Sequence, residues 1–280
     1  MDPIVLPIFE KYIFKINLFG IEIGATWYGM MYAIGFLTGY LILLYWSKTK
    51  KIKLSYDDIL DIVFVVFLGV IIGGRLGYVI FYNLPYYLSN PHKILAVWEG
   101  GMSFHGGLLG VLISIIIYSN AKKYNPFDIL DLISILVPIG LGLGRIGNFI
   151  NQELYGRVAE NIPWAMVFPT DPQKLPRHPS QLYESFFEGL VLLIILFSTV
   201  NKKLPIGIRS SLFAIFYAIF RIFIEFFREP DAHIGYILGF LTTGQILSII
   251  LLIAGLWAFI YFKKQNIPSK IMVYDNKPRK

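Results

Sequence analysis

Gly140-Leu-Gly-Leu-Gly-Arg145-Ile-Gly-Asn148-Phe-Ile-Asn151-Gln152-Glu153-Leu-Tyr-Gly156-Arg157 is the stretch on which the reading of this chain turns. Its first half closes an apolar run that begins near Pro126. Its second half gathers Arg145, Asn148, Asn151, Gln152, Glu153 and Arg157. An apolar run of this length is that of a membrane-crossing helix. A guanidinium at the end of such a helix is costly and is kept for a partner or a function.

Composition supports the membrane reading. The 280 residues are 56% hydrophobic and 15% charged, with a mean hydropathy of +0.62. Soluble domains carry about 25% charged residues. The expected fold is therefore an all-α polytopic membrane protein. A net charge of +7 is compatible with a nucleic-acid partner, but basic residues in such chains mostly set topology, so none is expected. The chain has no cysteine, which excludes a cysteine nucleophile, thiolate metal ligands and disulfides. Four scattered histidines make no metal cluster, and no cofactor is called for. The residues through Glu22 lack the pattern of a cleavable signal peptide.

Working outward, the pattern predicts about seven transmembrane helices, near 25–46, 57–82, 104–119, 126–149, 180–200, 206–227 and 242–262. Residues 1–24 read as a short interfacial segment. Lys48, Lys50, Lys51 and Lys53, then Lys122-Lys123, Lys202-Lys203 and Lys263-Lys264, follow alternate spans. The positive-inside rule puts them in the cytoplasm, with the amino terminus outside and the carboxyl terminus inside. Residues 1–265 then read as a single transmembrane domain. A small extracytoplasmic head lies at about 150–179, and a basic cytoplasmic tail covers 266–280. Gly69, Gly73 and Gly77, at spacing four, mark a face for close helix packing.

The arginines run the other way. Arg75, Arg145, Arg157, Arg177, Arg221 and Arg228 fall at predicted outer ends or in outer loops, against the topological bias. At 1.5 Å per residue, Arg145 lies roughly 28 Å along a helix from Pro126, and Arg75 roughly 27 Å along one from Asp57. Tyr28 and His105 open helices that enter from the same side. Five spans thus deliver polar groups to one level, near the outer headgroups. Arg145 and Asn148 share a helical face, as do Arg221, Glu225 and Arg228. Guanidinium forks match phosphate oxygens, which suggests an anionic phospholipid site. A structural Arg221–Glu225 pair with snorkelling neighbours is the plainer reading. His105 is either a general base or a structural residue, and Gly106, Gly107 and Gly110 either a packing seam or room for a substrate. Gln181 and Glu184 enter the membrane together, which makes Glu184 a candidate lining residue.

The stretch Gly144-Arg-Ile-Gly-Asn-Phe-Ile-Asn-Gln-Glu-Leu-Tyr-Gly-Arg157 closely resembles the signature of bacterial prolipoprotein diacylglyceryl transferases. Further blocks match that family in order: Trp27-Tyr28-Gly29, Gly74-Arg75-Leu-Gly77-Tyr78, Trp98 to His105-Gly-Gly, His178-Pro-Ser-Gln-Leu-Tyr-Glu184, and Arg221-Ile-Phe-Ile-Glu225-Phe-Phe-Arg228. Gln152 departs from the glycine that many members carry.

The resemblance implies a transferase of the bacterial plasma (inner) membrane, acting at the outer leaflet in lipoprotein biosynthesis. Such an enzyme moves the diacylglyceryl group of phosphatidylglycerol onto the lipobox cysteine thiol of a prolipoprotein signal peptide. A thioether forms and sn-glycerol 1-phosphate leaves. By matching positions, His105, Arg221, Glu225 and Tyr28 are implied as catalytic, with His105 the suspected base. Arg145, Asn148, Glu153, Gly156 and Arg75 are implied for phosphatidylglycerol. The rival classes are a transporter and a non-catalytic protein that binds an anionic phospholipid. A transporter's charges belong near mid-membrane, often with an internal repeat, and no repeat is apparent here. A membrane-embedded serine protease is weaker still, because no Gly-x-Ser-x-Gly occurs.

Overall fold

A computed structural model describes residues 3–10, 12–18, 21–82, 84–97, 100–229, 236–237 and 241–274. Trp98, most of the loop after Glu229 and the end of the basic tail lie outside the described residues. The strands are β1 (Ile4–Val5), β2 (Tyr12–Leu18), β3 (Ile21–Thr26), β4 (Met166–Val167), β5 (Pro176–Arg177), β6 (Tyr236–Ile237) and β7 (Leu241–Thr242). The helices are α1 (Trp27–Lys48), α2 (Tyr56–Tyr82), α3 (Leu84–Ser89), α4 (Phe104–Lys122), α5 (Pro126–Ile150), α6 (Ser180–Glu184), α7 (Leu192–Phe197), α8 (Ile208–Ile224) and α9 (Thr243–Gln265). A π-helical segment, Ser185–Val191, joins α6 to α7 without a break.

The chain is mostly helical, and the all-α expectation needs correction at its start. The interfacial segment is a β-hairpin, with Lys15 opposite Gly24, Ile16 opposite Ile23 and Asn17 opposite Glu22. Its alternation of apolar and polar residues has the period of a strand. Among the described residues, five stretches are long and apolar enough to cross a membrane: Trp27–Lys48, Tyr56–Tyr82, Pro126–Ile150, Ser180–Phe197 and Thr243–Gln265. The other two expected spans fall outside that measure. α4 carries polar residues at both ends, and α8 has only 17 residues, including Arg209 and Arg221.

The chain divides into two compact units, residues 1–39 with 131–268 and residues 40–130 with 269–280. In the second unit, Ser55 caps α2. Its hydroxyl accepts from the Asp58 amide at 3.1 Å, and its own amide donates to the Asp58 carboxylate at 3.3 Å. Ser103 caps α4 by accepting from the Gly106 amide at 3.2 Å. α2 and α4 meet along the expected glycines. A Cβ on Gly73 would strike the Gly106 carbonyl, and one on Gly110 would strike the Gly69 carbonyl. The backbones can approach this closely only without side chains. Part of the tail is also packed. Asp128 accepts from the Ser269 hydroxyl at 2.5 Å and the Lys270 amide at 2.7 Å, and Ile271 and Met272 are buried.

In the first unit, Thr242 and Gln245 form a capping box at the start of α9. Asp131 does the equivalent for α8, accepting from the amides of Gly207 at 2.9 Å and Ser210 at 2.8 Å. α5 meets the π-helical segment through Gly142 and Gly189, where Ser185 also donates to the Gly142 carbonyl at 3.0 Å. Residues 151–179 form a small head with its own core. Fully buried Phe168 stacks on Tyr155 and meets Phe149 edge-on. β1 adds to this head as a parallel partner of β4, which pairs antiparallel with β5.

Candidate active site

The first unit buries a seam of charge. It sits where α5, the α6–α7 stretch and α8 come together just before the turn at Glu225–Arg228. Glu184, 1% exposed, is at its centre. Its Oε2 lies 2.5 Å from Arg145 Nε and 3.2 Å from Arg221 Nη1, and its Oε1 lies 3.1 Å from Arg228 Nη1. Arg221 also reaches Glu225 Oε1 at 2.7 Å, the helical i, i+4 partner read from the sequence. Thr242 donates its hydroxyl to Glu225 Oε2 at 2.7 Å. Glu188, fully buried in the π-helical segment, lies 3.6 Å from Arg221. π-helical segments are rare and recur at functional sites.

A polar string runs from Arg145 toward the head. Arg145 Nη1 donates to Asn148 Oδ1 at 3.4 Å, and Asn148 Nδ2 donates to Glu153 Oε1 at 2.8 Å. Gln181 reaches the Glu153 carbonyl at 2.7 Å. Arg157 donates to the Arg228 and Glu225 carbonyls at 2.8 and 3.3 Å, holding the turn that carries both side chains. A small cleft of about 40 Å³ opens onto this edge, lined by Arg221, Glu225, Arg228, Thr242 and Gly244 among others.

Of the site residues expected from sequence, Arg145, Asn148, Glu153, Arg221 and Glu225 are thus tied into one network. Gly156 sits at its edge, where its amide donates to the His178 carbonyl at 2.8 Å. A Cβ there would strike the Phe227 carbonyl, so the site requires glycine for close backbone approach. Tyr28 is exposed at the start of α1, and its hydroxyl is 3.2 Å from that of Tyr32. His105 and Arg75 belong to the second unit. His105 is exposed in the first turn of α4. Arg75, 4% exposed, directs its guanidinium at carbonyls of the loop that follows α2. It donates to Ile94 at 2.9 Å, Lys93 at 2.6 Å, Gly101 at 3.2 Å and Gly100.

The sequence undervalued Glu184 and missed Glu188. Their signal was present: two carboxylates at i, i+4 inside an apolar span are expensive unless cations meet them. Thr242 carried no such signal, since a capping threonine is common in any helix.

The head has its own ion pair. Arg177 Nε lies 2.5 Å from Asp171 Oδ2, with Gln173 and Glu229 as further partners. Burial works to raise the Asp171 carboxyl. The Arg177 fork and the backbone amides of Gln173 and Leu175 overrule it and hold that carboxyl below its usual range. Burial alone pushes His178 below the usual histidine value.

Gln152 has φ of 56°, a left-handed conformation that favours glycine. Its buried side chain donates to the Pro7 carbonyl at 2.5 Å, a contact glycine cannot make. The sequence departure is thus set against a compensating hydrogen bond.

Comparison with known proteins gives one family. A family model described as prolipoprotein diacylglyceryl transferase matches residues 13–261. Similar relatives carry the name phosphatidylglycerol–prolipoprotein diacylglyceryl transferase. One from Geobacter sulfurreducens is 46% identical over 241 residues, covering 86% of this chain and 92% of the relative. One from Azotobacter vinelandii is 49% identical over 249 residues, with the same coverage. One from Yersinia pestis is 43% identical over 281 residues, covering 91% of this chain and 96% of the relative.

Proposed function

Because the chain belongs to the prolipoprotein diacylglyceryl transferase family, we propose that its buried arginine seam is the phosphate-binding half of a diacylglyceryl transfer site. The protein is a transferase of lipoprotein maturation. It moves the diacylglyceryl group of phosphatidylglycerol to a prolipoprotein. The observation that carries the site assignment is the convergence of Arg145, Arg221 and Arg228 on Glu184 within apolar helices.

The acceptor is the thiol of the lipobox cysteine at the end of a signal peptide. Its thiolate attacks the glycerol carbon that bears the phosphate ester. The C–S bond forms as the C–O bond breaks, and sn-glycerol 1-phosphate leaves. Charge grows on the departing phosphate, and fixed guanidinium groups stabilise it best in a seam from which water is excluded. Arg145 and Arg221 bind the phosphate with guanidinium N–H groups, while Glu184 holds both side chains in place. Glu225, held by Thr242, orients Arg221. Asn148 and Glu153 hold Arg145 from the head side, and Gly156 allows the close approach of the Phe227–Arg228 turn. Tyr28 donates to the lipid headgroup, and His105 takes the thiol proton. Arg75, spent on loop carbonyls, acts by shaping that loop more than by touching lipid.

The wider setting belongs to the same reading. All seven expected helices cross the bacterial inner membrane, the amino terminus lies outside, and the site faces the outer leaflet. Residues 1–265 serve one reaction. The test is mass spectrometry of a lipobox peptide after incubation with purified protein and phosphatidylglycerol, beside a peptide with serine for cysteine. Diacylglyceryl addition to the cysteine peptide alone, with glycerol phosphate released, is expected. No addition by folded protein would return the site to a transporter or a lipid-binding protein.

A further inference from the structure

Among the described residues, the charges of the seam balance. Arg145, Arg221 and Arg228 face Glu184, Glu188 and Glu225. At its edge, Arg157 is engaged by carbonyls and Glu153 by the Asn148 and Asn151 amides. A phosphate diester brings one further negative charge. In a buried seam an uncompensated charge is strongly disfavoured, and the least expensive remedy is a proton on the carboxylate with the fewest partners.

The three glutamates are not equal. Glu184 meets three guanidinium groups within 3.2 Å. Glu225 has Arg221 at 2.7 Å and the Thr242 hydroxyl at 2.7 Å. Glu188 is fully buried, and neither of its oxygens receives a hydrogen bond among the described residues. Its one close charge partner there, Arg221 Nη1 at 3.6 Å, is shared with Glu184. The charged and titratable groups facing it are Glu184 on its own helix, Arg145 on α5, Tyr217 and Arg221 on α8, and Arg228 beyond α8. Tyrosine, with a reference value of about 10, stays neutral over the range that matters.

We propose that Glu188 takes up one proton from solvent when the phosphate of phosphatidylglycerol enters this seam. The O–H bond formed removes one negative charge as the lipid supplies another. It also frees Arg221 Nη1, which donates no well-aligned hydrogen bond among the described residues, to face the phosphate. Glu188 is thus a positioning residue: it acts on the lipid through Arg221. This inference rests on the phosphate-binding reading above.

The experiment is equilibrium binding of phosphatidylglycerol to the purified protein in phosphatidylcholine nanodiscs, without peptide, from about pH 6 to about pH 9. The lipid phosphate does not titrate there, and the peptide thiol is absent. Affinity is expected to weaken with rising pH, by up to about tenfold per unit where one proton is linked. Glu188→Gln, which mimics the protonated group, is expected to flatten that slope and bind tightly at the alkaline end. A parent affinity independent of pH, or a slope that survives in Glu188→Gln, overturns the proposal. If Glu188→Gln does not fold, proton uptake by the parent in weak buffer decides: about one proton per lipid bound supports it, and none overturns it. Failure of the underlying reading looks different, because Arg145→Ala would then bind phosphatidylglycerol as the parent does.

Discussion

The α2–α4 seam and the seam joining α5, the α6–α7 stretch and α8 both bury groups that lipid would reject, by opposite means. The first removes side chains: Gly69, Gly73, Gly106 and Gly110 let carbonyls and Cα atoms touch. The second inserts charges and pairs them: Glu184, Glu188 and Glu225 meet Arg145, Arg221 and Arg228. A glycine seam has no group to offer a ligand, so it serves packing. A charged seam spends stability on holding groups that a phosphate can compete for. The difference teaches where to look for chemistry in a chain with little polar surface.

The comparison breaks most sharply at Arg145. Arg145→Ala should cut diacylglyceryl transfer by at least about a hundred- to a thousandfold, the scale of losing one preorganised donor to a developing anion. The protein should still insert and fold, as judged by monodispersity in detergent. Full residual activity would remove the phosphate role from this seam. Gly73→Leu should do the reverse. The new side chain meets the Gly106 carbonyl, and overpacking costs about 3 kcal/mol. Its unfolding midpoint in detergent should fall, and activity should fall only as the folded fraction does.

Residues 151–179 supply a third case, a buried ion pair that lies outside the long apolar helices. Arg177→Met leaves Asp171 unpaired and should cost about 3 kcal/mol in resistance of residues 151–179 to proteolysis. The same region should weaken with acid in two stages. His178 is held neutral by burial, so the unfolded chain binds more protons below about pH 6.5 and stability drops there. Asp171 titrates below its usual value, so its contribution is intact above about pH 4 and is lost as pH falls through the lowered value. His178→Asn should abolish the first stage and leave the second. The smallest effect belongs to Gln152→Gly. Relief of the left-handed backbone gains about 1 kcal/mol, and loss of the hydrogen bond to Pro7 costs about 1 kcal/mol. The midpoint should scarcely move.

Much of this was legible beforehand. The spacing of Gly69, Gly73 and Gly77 announced a close helix pair, and Arg221 with Glu225 announced an ion pair, because both follow from helical periodicity. Arg75 finds partners that its sequence position did not announce. Its position along α2 matches that of Arg145 along α5, but distance along a helix says nothing of which neighbours arrive. A loop some 20 residues later supplied its acceptors. Glu188 was overlooked although it stands four residues after Glu184, because the cations that give this pair its meaning come from α5 and α8, far away in sequence.

The sequence by itself determined a mostly helical membrane class, the family, and the arginine and glutamate pattern of its apolar helices. Those follow from composition, period and local motif, which involve neighbours along the chain. Tertiary structure decided which carboxylate meets which guanidinium, that Glu184 meets three of them, and that among the described residues Glu188 has one shared charge contact. Those are distances between residues far apart in sequence. Coulomb energies in a buried seam depend on such distances, and no pattern along the chain encodes them.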